Sequence, residues 1–158
     1  MTNPTPGRIE GIDAIRTFVL ASEGKGKTHL TLLNTAKDKR LTYRIQRAKD
    51  GNSRPWFVSV LTGSNNETDY TYAGCIWPAT DKLPPIFTRT RASKLSADAP
   101  SVKAFSWFMT ALDRSALPDA LHVYHDGRCG CCNRRLTVPA SVASGIGPVC
   151  AGKLGGAA

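Results

Sequence analysis

Apolar residues recur at two spacings along this chain, and the change from one to the other divides it. Ile12, Ile15 and Val19 repeat at helical intervals within 9–21, which predicts a short helix. Two glycines in 22–27 end it. The spacing then becomes an alternation. In 41–47, Leu41, Tyr43 and Ile45 point one way while Thr42, Arg44 and Gln46 point the other, the mark of a half-buried strand. Segments 28–34, 56–61 and 69–77 read as further strands, and 86–91 as a fifth after the Pro84-Pro85 break. The connections 35–40, 49–55 and 62–68 are rich in Lys, Asp, Asn, Gly and Ser, which suits turns. Short consecutive strands with short polar turns predict an antiparallel meander.

Helical spacing returns with Val102, Phe105, Phe108, Met109 and Leu112, an apolar stripe able to cover one face of that sheet. Asp98 or Ser101 is the expected cap. Pro118 ends the connection that follows, 121–124 reads as a short strand, and a cysteine segment closes the chain. The expected fold is α+β: an N-terminal helix, a meander and a covering helix over residues 1–118, then a treble-clef-like zinc module over 119–158.

Composition narrows the partners. The 158 residues carry a formal charge of +9, and 17 of the 21 Lys/Arg fall before residue 119. Such a field favours polyanions, nucleic acid above all. Lys37, Lys39, Arg40, Arg44 and Arg47, with Lys49, cluster on one predicted hairpin; Arg89, Arg91 and Lys94 follow the fifth strand. Arg134 and Arg135, with Arg128, flank the cysteines. Tyr70, Tyr72 and Trp56 are candidate stacking platforms, whereas Tyr43, between Leu41 and Ile45, is expected in the core. No apolar run approaches the roughly 20 residues a membrane helix needs. The start has no basic region followed by a hydrophobic one, so no secretion signal is expected.

Five cysteines, three of them in Cys129–Cys132, fit metal thiolates in a reducing compartment better than a secreted disulfide framework. The pattern is His125-x3-Cys129-x2-Cys132-x17-Cys150. A Cys-x2-Cys pair on a tight turn brings two thiolates to one ion, and Gly130 assists that turn. Pro148 suits a first helical turn, which would set Cys150 where the helix dipole favours a thiolate. No Cys or His follows Cys150, so the fourth ligand comes from upstream. His125 is nearest; His122 would point to the opposite face of a strand. Cys131 remains a spare thiolate, and Cys75, in a strand pattern, is expected to be a buried core cysteine.

The run HDGRCGCCNRRLTVPASVASGIGPVC (125–150) resembles a DUF6011-like zinc-binding domain, frequent in bacteriophage and actinobacterial proteins. The resemblance implies Cys129, Cys132, Cys150 and His125 as ligands of one structural Zn2+. It departs from the family pattern at Cys131 and at Asn133, where glycine is common. It implies a phage-type product in a bacterial cytoplasm and names no reaction.

Catalytic motifs are missing. Gly24-Lys25-Gly26-Lys27-Thr28 resembles the end of a phosphate-binding loop, but its first glycine would fall at Ala21 and Thr28 opens a strand. A deaminase-type zinc needs a nearby Glu, and Glu10, Glu23 and Glu67 are all far upstream. The expected function is therefore non-enzymatic: zinc-dependent nucleic-acid binding, with single strands a candidate form. The alternative is an effector that binds and inhibits a host protein or defence complex, and the third reading is an HNH-like nuclease.

Overall fold

The computed structural model describes residues 7–19, 27–46, 55–63, 68–77, 84–125, 136 and 146. Within them, seven strands form one antiparallel sheet backed by two helices. In chain order the elements are β1 (Arg8–Ile9), α1 (Ile12–Val19), β2 (Lys27–Asn34), β3 (Lys39–Gln46), β4 (Trp56–Leu61), β5 (Tyr70–Trp77), β6 (Ile86–Thr88), α2 (Pro100–Asp113) and β7 (Leu121–His125). The sheet order is β1-β7-β2-β3-β4-β5-β6. β2 to β6 form the expected meander. The strand read as part of the C-terminal module, β7, lies inside the same sheet: Leu30 to Asn34 pair with it on one side, and Arg8 and Ile9 on the other.

The β2–β3 hairpin shows how sequence sets the turn. Asn34 Oδ1 accepts hydrogen bonds from the amides of Ala36 and Lys37 at 3.0 and 3.3 Å. Asp38 then takes a positive φ of 50°, which Asp tolerates better than most residues. Between β4 and β5 the register shifts at Val58/Ser59, and Gly74 sits at that irregularity. A Cβ there would strike the Thr88 carbonyl oxygen and lie 2.9 Å from Arg89 Cα, so glycine lets β6 approach β5.

Alternation sends one set of side chains to the helical side. Leu30, Leu32, Tyr43, Ile45, Trp56, Val58, Val60, Ile76 and Val123 are buried there. α2 supplies Val102, Phe105, Phe108, Met109 and Leu112, every residue of the expected stripe. Phe105 is the hub, with ring centroids 4.8 Å from Tyr43, 5.0 Å from Phe87 and 5.9 Å from Phe108. Burying a side chain of this size contributes about 1.5–3 kcal/mol. Tyr43 is fully buried, as expected, and its hydroxyl donates to the Ser101 carbonyl at 2.7 Å. The expected cap of α2 is corrected: Ala99 is the N-cap and makes no side-chain hydrogen bond. Pro100 occupies the first turn, where its missing N–H costs nothing, and the Ala99 carbonyl takes the amides of Val102 and Lys103. Arg16 of α1 donates to the Leu112 carbonyl and to Ser115 Oγ, both at 2.6 Å, placing a cation at the C-terminus of α2.

Two residues beyond β7 are described, and both are buried. Leu136 and Ile146 belong to the same hydrophobic core as the sheet and helices.

Candidate functional site

Both helices cover one face of the sheet; the other is built from the complementary set of side chains. Strand pairing lays these out in rows. One row runs His29, Arg44, Ser59, Tyr72 across β2 to β5. A second runs Arg8, Tyr124, Thr31, Thr42. Gln46, Phe57, Cys75 and Thr88 form a third, while His122, Leu33 and Arg40 line the end nearest the hairpin turn. This face is far less buried than its counterpart: Phe57 is 47% exposed and Trp77 48%, and Tyr70, Tyr72, Tyr124, His122 and Arg44 are half-buried.

The side chains on it are arranged. The Arg44 guanidinium lies over the Tyr70 ring, 4.6 Å from its centroid, a cation–π contact. His29 tilts against the same Tyr70 ring at 5.8 Å, and Phe57 meets Tyr72 edge-on at 6.0 Å. Thr31 and Thr42 share a 2.8 Å hydrogen bond between hydroxyls. Thr90 donates to the Tyr72 hydroxyl at 2.9 Å, fixing that ring from the far side. Such a surface offers flat aromatic faces beside fixed positive charge, the two things a nucleic-acid strand engages.

The residues expected to make this interface divide between the two sides of the protein. Arg40 and Arg44 stand on the open face, with Lys37 and Lys39 exposed at the hairpin end. Tyr70 and Tyr72 are on the open face too. Trp56 is not: it is buried opposite Ile76 on the helical side, because it keeps phase with Val58 and Val60. Arg89 follows Phe87 in phase and turns towards α2, where its Nε donates to the Leu95 carbonyl at 2.6 Å and its Nη2 to that of Ser93 at 3.4 Å. Arg91 and Lys94 are exposed on the loop beyond β6. Arg47, Lys49, Arg128, Arg134 and Arg135 lie outside the described residues. Arg8, His29, Phe57, His122 and Tyr124 belong to the open face although sequence reasoning did not place them there. The alternation of 121–125 held the signal for His122 and Tyr124.

Cys75 is buried, as expected, but on the open side, between Phe57 and Thr88. Burial pushes its thiol pKa up, opposed by a hydrogen bond from Tyr72.

Of the expected zinc ligands, Cys129, Cys132 and Cys150 lie outside the described residues, as does Cys131. No group of three potential metal ligands occurs among the described residues. His125 ends β7 on the helical side, 8% exposed, with its ring 6.1 Å from that of Phe18. Its amide donates to the Gly7 carbonyl at 2.9 Å, and a Cβ on Gly7 would strike the His125 carbonyl oxygen. His122 faces the open side, 6.4 Å from the Tyr124 ring. The two imidazoles therefore point to opposite faces of one strand.

Residues 119–155 match a family of unknown function, DUF6011. The match begins just before β7, so the DUF6011-like segment here includes an interior strand of the sheet and, in Leu136 and Ile146, two residues of its core. No curated protein and no solved structure matches the chain. Among the described residues no helix is long and apolar enough to cross a membrane.

Proposed function

We propose that this chain is a non-enzymatic zinc-binding protein that binds nucleic acid across the open face of its sheet. The row His29–Arg44–Ser59–Tyr72, with Arg44 held over Tyr70, carries the reading. Charge in this position meets phosphate, and rings beside it meet bases. Both described helices are committed to the far side, leaving neither to enter a major groove. A broad face with half-buried rings suits unstacked bases, which favours single strands. The +9 charge adds long-range attraction. A phage-type protein acting in a bacterial cytoplasm, as the DUF6011 resemblance implies, is part of the same reading.

Zinc completes the proposal. Three thiolates, from Cys129, Cys132 and Cys150, with one imidazole make a set that suits tetrahedral zinc. His125 shares the helical side with Leu136 and Ile146 of the same segment, which supports it as the fourth ligand over His122. When bound, the ion would supply folding energy to a segment that carries few apolar residues.

Fluorescence anisotropy with single- and double-stranded DNA and RNA at two salt concentrations tests the interface. Single strands should bind more tightly, and affinity should fall steeply with salt as counterions are released. Undetectable binding to all four probes at low salt would refute the reading. Metal analysis should give about one zinc per chain. Cys132→Ala or Cys150→Ala should lose it, and His125→Ala should weaken it more than His122→Ala.

A further inference from the structure

A second surface lies at the opposite end of the sheet and on its other side. Between α2 and the last strand, β6, runs a groove of about 450 Å³. Its floor is apolar, from Phe87 and Val102. One wall is the solvent side of α2, with Lys103, Ser106, Trp107 and Thr110; the other is the β6 loop, with Arg89 and Ala97. Trp107 is 47% exposed on the wall of this groove.

Three features define what would fit. First, β6 ends the sheet among the described residues, so one side of its main chain has no strand partner there. A peptide backbone can complete that ladder, and a sugar-phosphate backbone cannot. Second, the lining cations are Arg89 and Lys103. Two carbonyls hold the Arg89 guanidinium in place through Nε and Nη2, leaving Nη1 without a partner among the described residues. Among the described residues Lys103 pairs with Asp98, at 3.9 Å, and both side chains are well exposed at 66% and 90%. So loose a pair is readily exchanged for a better one. Third, an apolar floor beneath a charged rim matches an extended segment whose side chains alternate between apolar and acidic.

We propose that this groove is a docking site for an extended acidic peptide segment of a partner protein, which adds as a strand to the outer edge of β6. Its apolar side chains enter between Phe87, Val102 and Trp107, and its carboxylates meet Arg89 and Lys103. This site is separate from the open face and does not depend on nucleic-acid binding there.

The probe is a labelled peptide alternating valine and glutamate, with its lysine-for-glutamate counterpart and a version N-methylated at alternate amides as controls. Binding to the full chain is followed by anisotropy and by amide chemical-shift mapping. The glutamate peptide should bind and shift residues 86–89 and the 103–110 stretch of α2. The lysine peptide should not bind, and at least one register of N-methylation should abolish binding. Lys103→Glu and Trp107→Ala, both at exposed positions, should each weaken binding by about tenfold or more while leaving the fold and oligonucleotide binding unchanged. Equal affinity for the glutamate and lysine peptides would overturn the proposal. So would indifference to N-methylation, or shifts confined to the open face. A single-stranded oligonucleotide that moves the Lys103 and Trp107 resonances instead would assign the groove to nucleic acid.

Discussion

The two faces of this sheet are built from the same strands by the same alternation, yet they carry different chemistry. On the helical side Tyr43, Ile45, Val58 and Val123 are wholly buried, and Phe105 ties them to β6. On the other side the residues in between are Arg44, Ser59 and Tyr124, half-buried or at the surface except for Ser59. A sheet meant only to be stable would leave that second face polar and featureless, or cover it. Here the Arg44 guanidinium is set against the Tyr70 ring, and Phe57 against Tyr72, at the cost of holding aromatic surface next to water. The core lies on one face, and the proposed nucleic-acid interface is the other.

The sharpest test of that division is Phe105→Ala. Removing the ring should cost about 3–5 kcal/mol in denaturant unfolding, and the folded fraction should still bind oligonucleotide normally. Loss of affinity in protein that remains folded would break the comparison. Charge reversal at Arg40 and Arg44 should do the opposite. Oligonucleotide affinity should fall for all sequences alike, and the slope of log affinity against log salt should shrink, while the unfolding midpoint stays nearly unchanged. A smaller effect is expected from Tyr124→Ala, which should lose about 1–3 kcal/mol of single-strand binding if a base stacks there.

The smallest effect concerns Tyr43. Burial raises its phenol well above the usual tyrosine range. The folded state therefore holds this proton more tightly than the unfolded state, and the resulting stability is fully present below the unfolded value of about 10. It should be lost as the pH climbs above that value. Tyr43→Phe should flatten this alkaline limb and cost about 1 kcal/mol at neutral pH for the lost bond to Ser101. Oligonucleotide affinity should not change, because the ring faces the helices.

How much of this could be read from the sequence follows from which physical signals are local. The alternation of Leu41, Tyr43 and Ile45 and the stripe from Val102 to Leu112 report burial directly, because one side chain in two or in three to four must meet the core. Trp56 was equally legible, since it keeps phase with Val58 and Val60; its aromatic character drew attention to a role its position forbids. Strand partners are not local. Nothing within 121–125 says that it will pair with Arg8 and Ile9 on one flank and with 30–34 on the other. That is also why Arg8 and Tyr124 could not be joined to Arg44 and Tyr72 as one surface. Two-residue β1 is too short to show any period. Arg89 and Arg44 look alike in a count of charges and part company only when the sheet gives each a side. The motif spacing of 125–150 is a local signal, and the DUF6011 match over 119–155 bears out the family resemblance read there.

The place of β7 also bears on how the chain reaches this state. Arg8 waits for Tyr124 across more than a hundred intervening residues, and β1 has no other described partner in the sheet. As the polypeptide emerges from a ribosome, β2 to β6 can zip together hairpin by hairpin, but the outer flank of β2 stays open until 121–125 arrive. Contacts of such long sequence separation slow folding. An uncovered strand flank is in that interval the place where two nascent chains can join. Among the described strands, the last to be synthesised is therefore the one that covers the outer flank of β2.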